Sequence, residues 1–293
     1  MILRFGRFRH SGKDFNEERN HALATLQAFV PRSSSSLIPL HWLNPVKNLL
    51  MKNLYLRSFI TQASIARQSV TPHGGHLHAP FLNIAYVRIP KAASTSLSYS
   101  MLKVIYPGLS SIPLDPREIN FLTDANLRRS VSQLDHNDIF FTVVRNPFAR
   151  MVSVYRDYIS NPNQENVFED YLFGILSQGL SFKDFVKRVD GIPDLLKEPH
   201  IKPQHYFVDY YRKRNPNVVI LKLEKPDEIN SFLSIYSLEM PLLNASKEDY
   251  DYRAFYDPDT FERVARMYRT DVKMFRYEQE SRALRDYLQS VEK

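Results

Sequence analysis

The stretch of the sequence most informative about chemistry is RIPKAASTSLSYSML, which covers Arg88 to Leu102. An apolar, β-branched run ends at Pro90 and is followed by one lysine, small side chains and several hydroxyls. The first turn of a helix carries amides without intrahelical acceptors, and small side chains let an anionic group approach them. We therefore predict a phosphate-binding loop in which Lys91 supplies a mobile positive charge. The alternative is an ordinary strand-to-helix turn with a serine cap.

This loop differs from the common nucleotide-binding loop. The pattern G-x-x-x-x-G-K-[ST] is absent, because the loop contains no glycine and the lysine precedes the hydroxyls. A P-loop-like kinase would use the same kind of sheet, but it would also need carboxylates for magnesium. A kinase is therefore kept only as an alternative.

A second stretch, VVRNPFARMVSVYRD, has the same character. Arg145 stands at the end of a predicted strand, Asn146 caps a helix with Pro147 in its first position, and Ser153 follows two turns later. Burying an arginine is costly unless an anion pairs with it. A nearby carboxylate would serve for one isolated arginine, but two such junctions predict a ligand with two separated phosphate-type groups.

Alternating strands and helices must position these residues. The pattern predicts strands over 81–89, 138–146 and 217–224, and helices over 95–105, 147–159, 182–189, 227–236 and 257–275. Strands joined by crossover helices indicate an α/β fold with a mostly parallel central sheet flanked by helices. In such sheets ligands bind beyond the carboxyl ends of the strands, where both junctions lie.

Charge divides the chain into two parts. Residues 1–80 contain 10 Lys and Arg against 3 Asp and Glu, whereas residues 81–293 contain 29 of each. We expect a basic N-terminal arm with linkers over 1–80 and a catalytic domain over 81–293. The chain has no cysteine, which excludes disulfides, thiolate metal sites and a cysteine nucleophile, and fits a reducing compartment.

The arm contains no apolar run of about 20 residues and no secretion signal, so we expect a cytoplasmic protein. The stretch from Leu37 to Ile60 is apolar but interrupted by basic and polar residues. It predicts an amphipathic helix that packs on the catalytic body, with peripheral contact to an anionic membrane as the alternative. The stretch from Thr71 to Pro80 contains three histidines, and we interpret it as a flexible linker rather than a metal site.

Together these motifs resemble the sulfotransferase superfamily, specifically the branch of the membrane-associated carbohydrate sulfotransferases. IPKAASTSL is similar to that family's 5′-phosphosulfate loop, and VVRNPFARMVSVYRD to its 3′-phosphate motif. Further similarity extends through PHIKPQHYF, VVILKLEKPDEI, LNASKEDYDYRAFY and VARMYRTDVKMFRY, so the resemblance spans roughly residues 81–277. It implies a P-loop-like three-layer fold.

The resemblance also implies the co-substrate, 3′-phosphoadenosine 5′-phosphosulfate (PAPS), and a reaction without a metal. It assigns Lys91 a catalytic role and places Arg145 and Ser153 at the 3′-phosphate. The residues implied at the 5′ end are Lys91, Ala92, Ala93, Ser94, Thr95 and Ser96. The implied acceptor is a hydroxyl, on a carbohydrate or another molecule.

The acceptor hydroxyl needs a base, for which we predict His200, with His205 and His136 as rivals. Gln204 is a candidate substrate contact, and Arg150 either neutralises the donor or covers the helix. We expect no nucleic-acid partner. A non-catalytic module that binds nucleotides or glycans remains an alternative, and the sequence does not set the oligomeric state.

Overall fold

The computed structural model of the protein describes residues 76–106, 108–109, 114–129, 138–162, 166–169, 171–215, 217–241 and 250–291. The strands are β1 (His76–Ala79), β2 (Ile84–Val87), β3 (Arg128–Arg129), β4 (Ile139–Val144) and β5 (Val218–Lys222). The α-helices are α1 (Ser94–Ile105), α2 (Pro116–Asn126), α3 (Pro147–Tyr158), α4 (Phe182–Asp190), α5 (His205–Arg212), α6 (Pro226–Ser234), α7 (Pro258–Met267), α8 (Arg269–Met274) and α9 (Glu278–Val291).

The five strands form one mixed sheet in the order β3-β1-β2-β4-β5. β2 pairs with β4, and β4 with β5, in parallel. β1 pairs antiparallel with both β2 and β3. The predicted α/β class is confirmed. The strands β2, β4 and β5 are parallel, as predicted for most of the sheet. The strands β1 and β3 add an antiparallel half.

Helices cover both faces of this sheet. Side chains alternate between the faces along each strand, as the two-residue period requires. Ala85 and Val87 pack with residues of α3, α4, α5, α7 and α9, whereas Ile84 and Tyr86 pack on the opposite face with residues of α1 and α6. The result is the predicted three-layer, P-loop-like arrangement.

Several helix starts follow from their capping residues. The side chain of Asn146 accepts a hydrogen bond from the amide of Phe148 (3.0 Å), and that of Ser181 accepts one from Asp184 (3.1 Å). The predicted helix over 257–275 is instead two helices, α7 and α8, which meet at Tyr268. Tyr268 is buried and donates from its hydroxyl to the carbonyl oxygen of Ile201 (2.5 Å), so tertiary packing interrupts the helical stripe.

The linker prediction for 71–80 is wrong over its last part, because His76–Ala79 forms strand β1. His76 pairs with Val87 in the sheet and is fully buried against the rings of Phe140 and Tyr211. His76 therefore belongs to the core and not to a loop. Residues 1–75 of the basic arm, with the 37–60 stretch and His73, lie outside the described residues, and the domain boundary at residue 80 stays a prediction.

One structural observation concerns membrane-spanning helices. Among the helices of the described ranges, none combines the length and the apolar character needed to cross a bilayer.

Candidate active site

Two loops leave the carboxyl ends of the neighbouring parallel strands β2 and β4. The first leads through residues 88–93 into α1, and the second through 145–146 into α3. Arg145 joins them, because its Nη1 donates to the main-chain oxygen of Lys91 across 3.2 Å. The two junctions predicted from the sequence to bind anions therefore lie side by side.

The first loop has an unusual backbone. Lys91 and Ala93 have positive φ angles of 65° and 59°. This left-handed conformation costs a residue with a Cβ on the order of 1–2 kcal/mol. Ala92 between them is fully buried. The loop that the sequence singled out thus holds two strained residues, as is common where a backbone is shaped for a ligand.

Helix α1 begins directly after this loop. Its N-cap residue, Ala93, has no side chain that can cap the first turn, so the first amides of the helix receive no capping bond from that residue. The hydroxyls of Ser94 and Thr95 are on half-buried side chains, and Ser96 is buried. Amides, hydroxyls and the helix dipole together form a site suited to an anionic group.

The side chain of Lys91 reaches the last turn of α3. Its ammonium forms an ion pair with the carboxylate of Asp157 and lies over the ring of Tyr158, 4.9 Å from the centroid. Burial lowers the pKa of Lys91, while the negative charge of Asp157 and its hydrogen bond act in the opposite direction. Asp157 therefore helps to keep a largely buried lysine charged.

The backbone of Arg145 is held by Gln204. The side-chain amide of Gln204 donates from its nitrogen to the Arg145 carbonyl oxygen (2.7 Å), and its oxygen accepts from the main-chain amide of Arg145 (2.9 Å). Gln204 is fully buried. Gln204 thus fixes the second loop rather than facing a substrate. Ser153 is half-buried, two turns into the helix that starts beside Arg145, and its role at a 3′-phosphate stays a prediction.

His200 and Lys91 both contact Tyr158. The Nε2 atom of His200 is 3.4 Å from the hydroxyl of Tyr158, and the Lys91 ammonium lies over the ring of the same tyrosine. Its Nδ1 is 2.9 Å from Oε1 of Glu198. Burial raises the pKa of the Tyr158 hydroxyl, which therefore stays protonated and can donate to Nε2. The predicted lysine and the predicted base are thus joined through one tyrosine.

The rival histidines are placed differently. His205 begins α5, where its Nδ1 and its amide both contact Oδ1 of the fully buried Asp271, at 2.8 and 2.9 Å. That carboxylate also accepts from the amide of Gln204 (2.7 Å). The contacts of His205 thus stabilise the start of α5. His136 lies outside the described residues.

Sequence reasoning did not resolve the role of Arg150. This residue is only 2% exposed, and its guanidinium donates to three carbonyl oxygens, those of Pro90 (3.0 Å), Pro199 (2.9 Å) and Lys202 (2.9 Å). It therefore ties the Lys91 loop to the segment that carries His200. The position of Arg150 in the same motif as Arg145 was the one sequence signal for a role in the site. Its partners could not be predicted, because they are backbone atoms that no sequence pattern identifies.

A second network was also missed, at the start of α3. Oε1 of Glu224 accepts from the amide of Asn146 (2.7 Å), and Oε2 accepts from the hydroxyl of Tyr277 (2.8 Å). The Asn146 side chain donates to the hydroxyl of Tyr252 (3.1 Å). The glutamate that ends the third predicted strand thus holds the helix that starts beside Arg145.

In a chain without cysteine, histidine and carboxylate side chains are the candidate metal ligands. Over the described ranges, no group of three or more such side chains is arranged to hold a metal ion.

The fold is a P-loop-like α/β fold, and basic residues at the starts of two adjacent helices give it a site suited to an anionic ligand. A family model described as Sulfotransferase family matches residues 76–278, which is more than half of the chain. The chain therefore belongs to the sulfotransferase family, in the family 2 branch that the motifs resemble. Membership supports a transferase, and sulfotransferase activity in general. Comparisons with the curated proteins and with the solved structures find no match.

Proposed function

We propose that the protein transfers a sulfuryl group from PAPS to a hydroxyl of a carbohydrate acceptor. The observation that carries this proposal is the hydrogen bond between Arg145 and the Lys91 main chain, because it joins the two junctions that we predict to bind anions. A donor with phosphate groups at both the 5′ and 3′ positions matches two such junctions. The family membership supports the sulfuryl group as the one transferred.

The proposed donor site uses the residues of the two loops. The 5′-phosphosulfate would be bound by Lys91 and by the backbone and hydroxyls of Ala92, Ala93, Ser94, Thr95 and Ser96. The 3′-phosphate would be bound by Arg145 and Ser153. Charge-assisted hydrogen bonds from an arginine to a phosphate are strong and directional, which favours this donor over one without a 3′-phosphate.

The proposed reaction is a direct, in-line displacement. The bond between sulfur and the bridging oxygen breaks, that oxygen keeps the electron pair, and a new bond forms between sulfur and the acceptor oxygen. Lys91 stabilises the charge that develops on the bridging oxygen, and the α1 dipole adds to this effect. The chemistry resembles phosphoryl transfer, where positioning and electrostatics carry most of the catalysis.

The acceptor hydroxyl must also lose its proton. We propose that Nε2 of His200 takes it, because this nitrogen lies 3.4 Å from the hydroxyl of Tyr158, the tyrosine whose ring lies under the Lys91 ammonium. An imidazole is suited to proton transfer near neutral pH. The assignment of a carbohydrate as acceptor rests on the resemblance of the motifs.

Donor binding tests this proposal. Titration calorimetry should give tight binding of the product nucleotide, 3′-phosphoadenosine 5′-phosphate (PAP), and much weaker binding of ATP with magnesium. Preference for ATP with magnesium would indicate a kinase, and no binding of either nucleotide would indicate a non-catalytic module. Either result would contradict the proposed function.

A further inference from the structure

The segment that carries His200 is held by hydrogen bonds to both the main chain and the side chain of Glu198. The amides of Ile201 and Lys202 donate to the Glu198 carbonyl oxygen, at 3.0 and 2.9 Å, and so form a turn. Oε2 of Glu198 accepts from the main-chain amide of His200 across 2.7 Å. The Glu198 carboxylate thus fixes the backbone of His200 within this turn.

The same carboxylate contacts the imidazole ring. Nδ1 of His200 is 2.9 Å from Oε1 and 3.0 Å from Oε2 of Glu198. An ionised carboxylate accepts hydrogen bonds but cannot donate them, so the hydrogen of a neutral ring must be on Nδ1. Nε2 then carries the lone pair, on the side that faces the Tyr158 hydroxyl.

The surroundings favour this arrangement. The side chains of His200 and Glu198 are only 21% and 13% exposed, so water competes little for their hydrogen bonds. The positive charges of Arg150 and Lys202 lie close enough to interact with the Glu198 carboxylate.

We infer that Glu198 is a positioning residue that fixes the ring of His200 with hydrogen on Nδ1 and the lone pair on Nε2. The inference deepens the proposed function, on which it rests for the statement that Nε2 receives the acceptor's proton. The tautomer matters because a histidine with hydrogen on the wrong nitrogen cannot act as a base toward the substrate.

The protein contains an internal control for this inference. His205 contacts Asp271 through Nδ1 and the main-chain amide, in the same way that His200 contacts Glu198. We expect the same tautomer at both histidines in the wild type. Replacing Glu198 should change the tautomer of His200 and leave that of His205 unchanged.

Nitrogen-15 NMR of histidine-labelled full-length protein reads the tautomer directly. At a pH of about 8, where an ordinary imidazole is neutral, His200 should show a protonated Nδ1 and an unprotonated Nε2. In Glu198→Ala and in Glu198→Gln the hydrogen should move toward Nε2, with His205 unchanged and His200→Ala serving to assign the signals. A wild-type His200 with hydrogen on Nε2, or a tautomer that either variant leaves unchanged, would overturn the inference.

Kinetics supply the second readout. Glu198→Ala should lower kcat by about tenfold or more, as expected when a base is held in the wrong tautomer, with little change in the KM for PAPS. In a His200→Ala background, Glu198→Ala should lower kcat no further, because Glu198 acts on the reaction through the imidazole ring of His200. Glu169→Ala, at an exposed glutamate, is the control. Independent losses in the double variant would contradict the inference, whereas absence of transfer by the wild type would contradict the proposed function and leave the NMR result valid.

Discussion

Arg150 donates from Nε to the carbonyl oxygen of Pro90, one residue before Lys91, across 3.0 Å. Its two other nitrogens bond the carbonyl oxygens of Pro199 and Lys202, on either side of His200. A single buried guanidinium therefore sets the position of the Lys91 loop relative to the proposed base. The structure assigns this arginine to the framework of the site.

Arg150→Ala should therefore be strongly destabilising. It removes three charge-assisted hydrogen bonds and leaves buried carbonyl oxygens unsatisfied, which should lower the free energy of unfolding by about 3 kcal/mol or more. Urea unfolding measures the change. Arg282→Ala is the control, because Arg282 is exposed and makes one long bond of 3.4 Å within its own helix. Equal stability of the two variants would refute the role of Arg150.

Arg145→Ala tests the 3′-phosphate assignment. PAP should raise the Tm of the wild type more than adenosine 5′-phosphate does, because only PAP has the 3′-phosphate. The variant should lose this difference, which corresponds to about 2 kcal/mol of charge-assisted contact. Thermal shift at matched nucleotide concentrations measures it. Equal stabilisation of the wild type by both nucleotides would show that the junction does not bind a 3′-phosphate.

Asp157→Asn should change the pH dependence of activity. Burial lowers the pKa of Lys91 and Asp157 opposes that shift, so removing the carboxylate should lower the pKa further. Lys91 then loses its proton at a lower pH, and the alkaline fall of kcat should begin at a lower pH than in the wild type. Asp157→Glu keeps the charge and should retain most of the wild-type profile. An unchanged alkaline limb in Asp157→Asn would contradict the proposed role of the ion pair.

His76 should make the protein sensitive to acid. Burial, together with the nearby charges of His78 and Arg129, lowers the pKa of His76 to about 4 in the folded state. An unfolded histidine has a pKa of about 6.5, so protonation favours the unfolded chain and stability falls as the pH drops from about 6.5 to 4, by about 3 kcal/mol. His76→Phe should lose much of this dependence in urea unfolding at several pH values. A variant that keeps the full wild-type slope would refute the assignment to His76.

Much of the fold could be predicted from the sequence because its strands and helices carry strong local signals. The apolar runs of β4 and β5 and the caps at Asn146 and Ser181 were sufficient for the parallel half of the sheet. β1 could not be predicted, because a histidine-rich stretch after two glycines has no strand pattern and is ordered by its pairing with β2. Tertiary contacts outweigh local propensity at such positions.

The site was predictable to a similar extent. Residue types and spacing indicated Lys91 and Arg145, because a cation at a strand-to-helix junction has a local chemical meaning. The partners of these residues could not be predicted. Contacts of Lys91 with Asp157 and of His200 with Glu198 depend on how the chain turns between residues 194 and 204 and on where α3 ends.

The most direct test of the central claim is transfer of radiolabelled sulfate from PAPS to a panel of hydroxyl-bearing glycans, by the wild type and by Lys91→Ala. We predict PAP-releasing transfer by the wild type, and a kcat that is lower by roughly a hundredfold or more in the variant, about 3 kcal/mol of transition-state stabilisation, with a smaller loss of PAPS affinity. Lys91→Arg should restore the rate only in part, because a planar guanidinium does not replace a compact ammonium. If Lys91→Ala weakened PAPS binding but kept the wild-type rate at saturation, the loop would only bind the donor and the proposed catalytic role of Lys91 would be wrong.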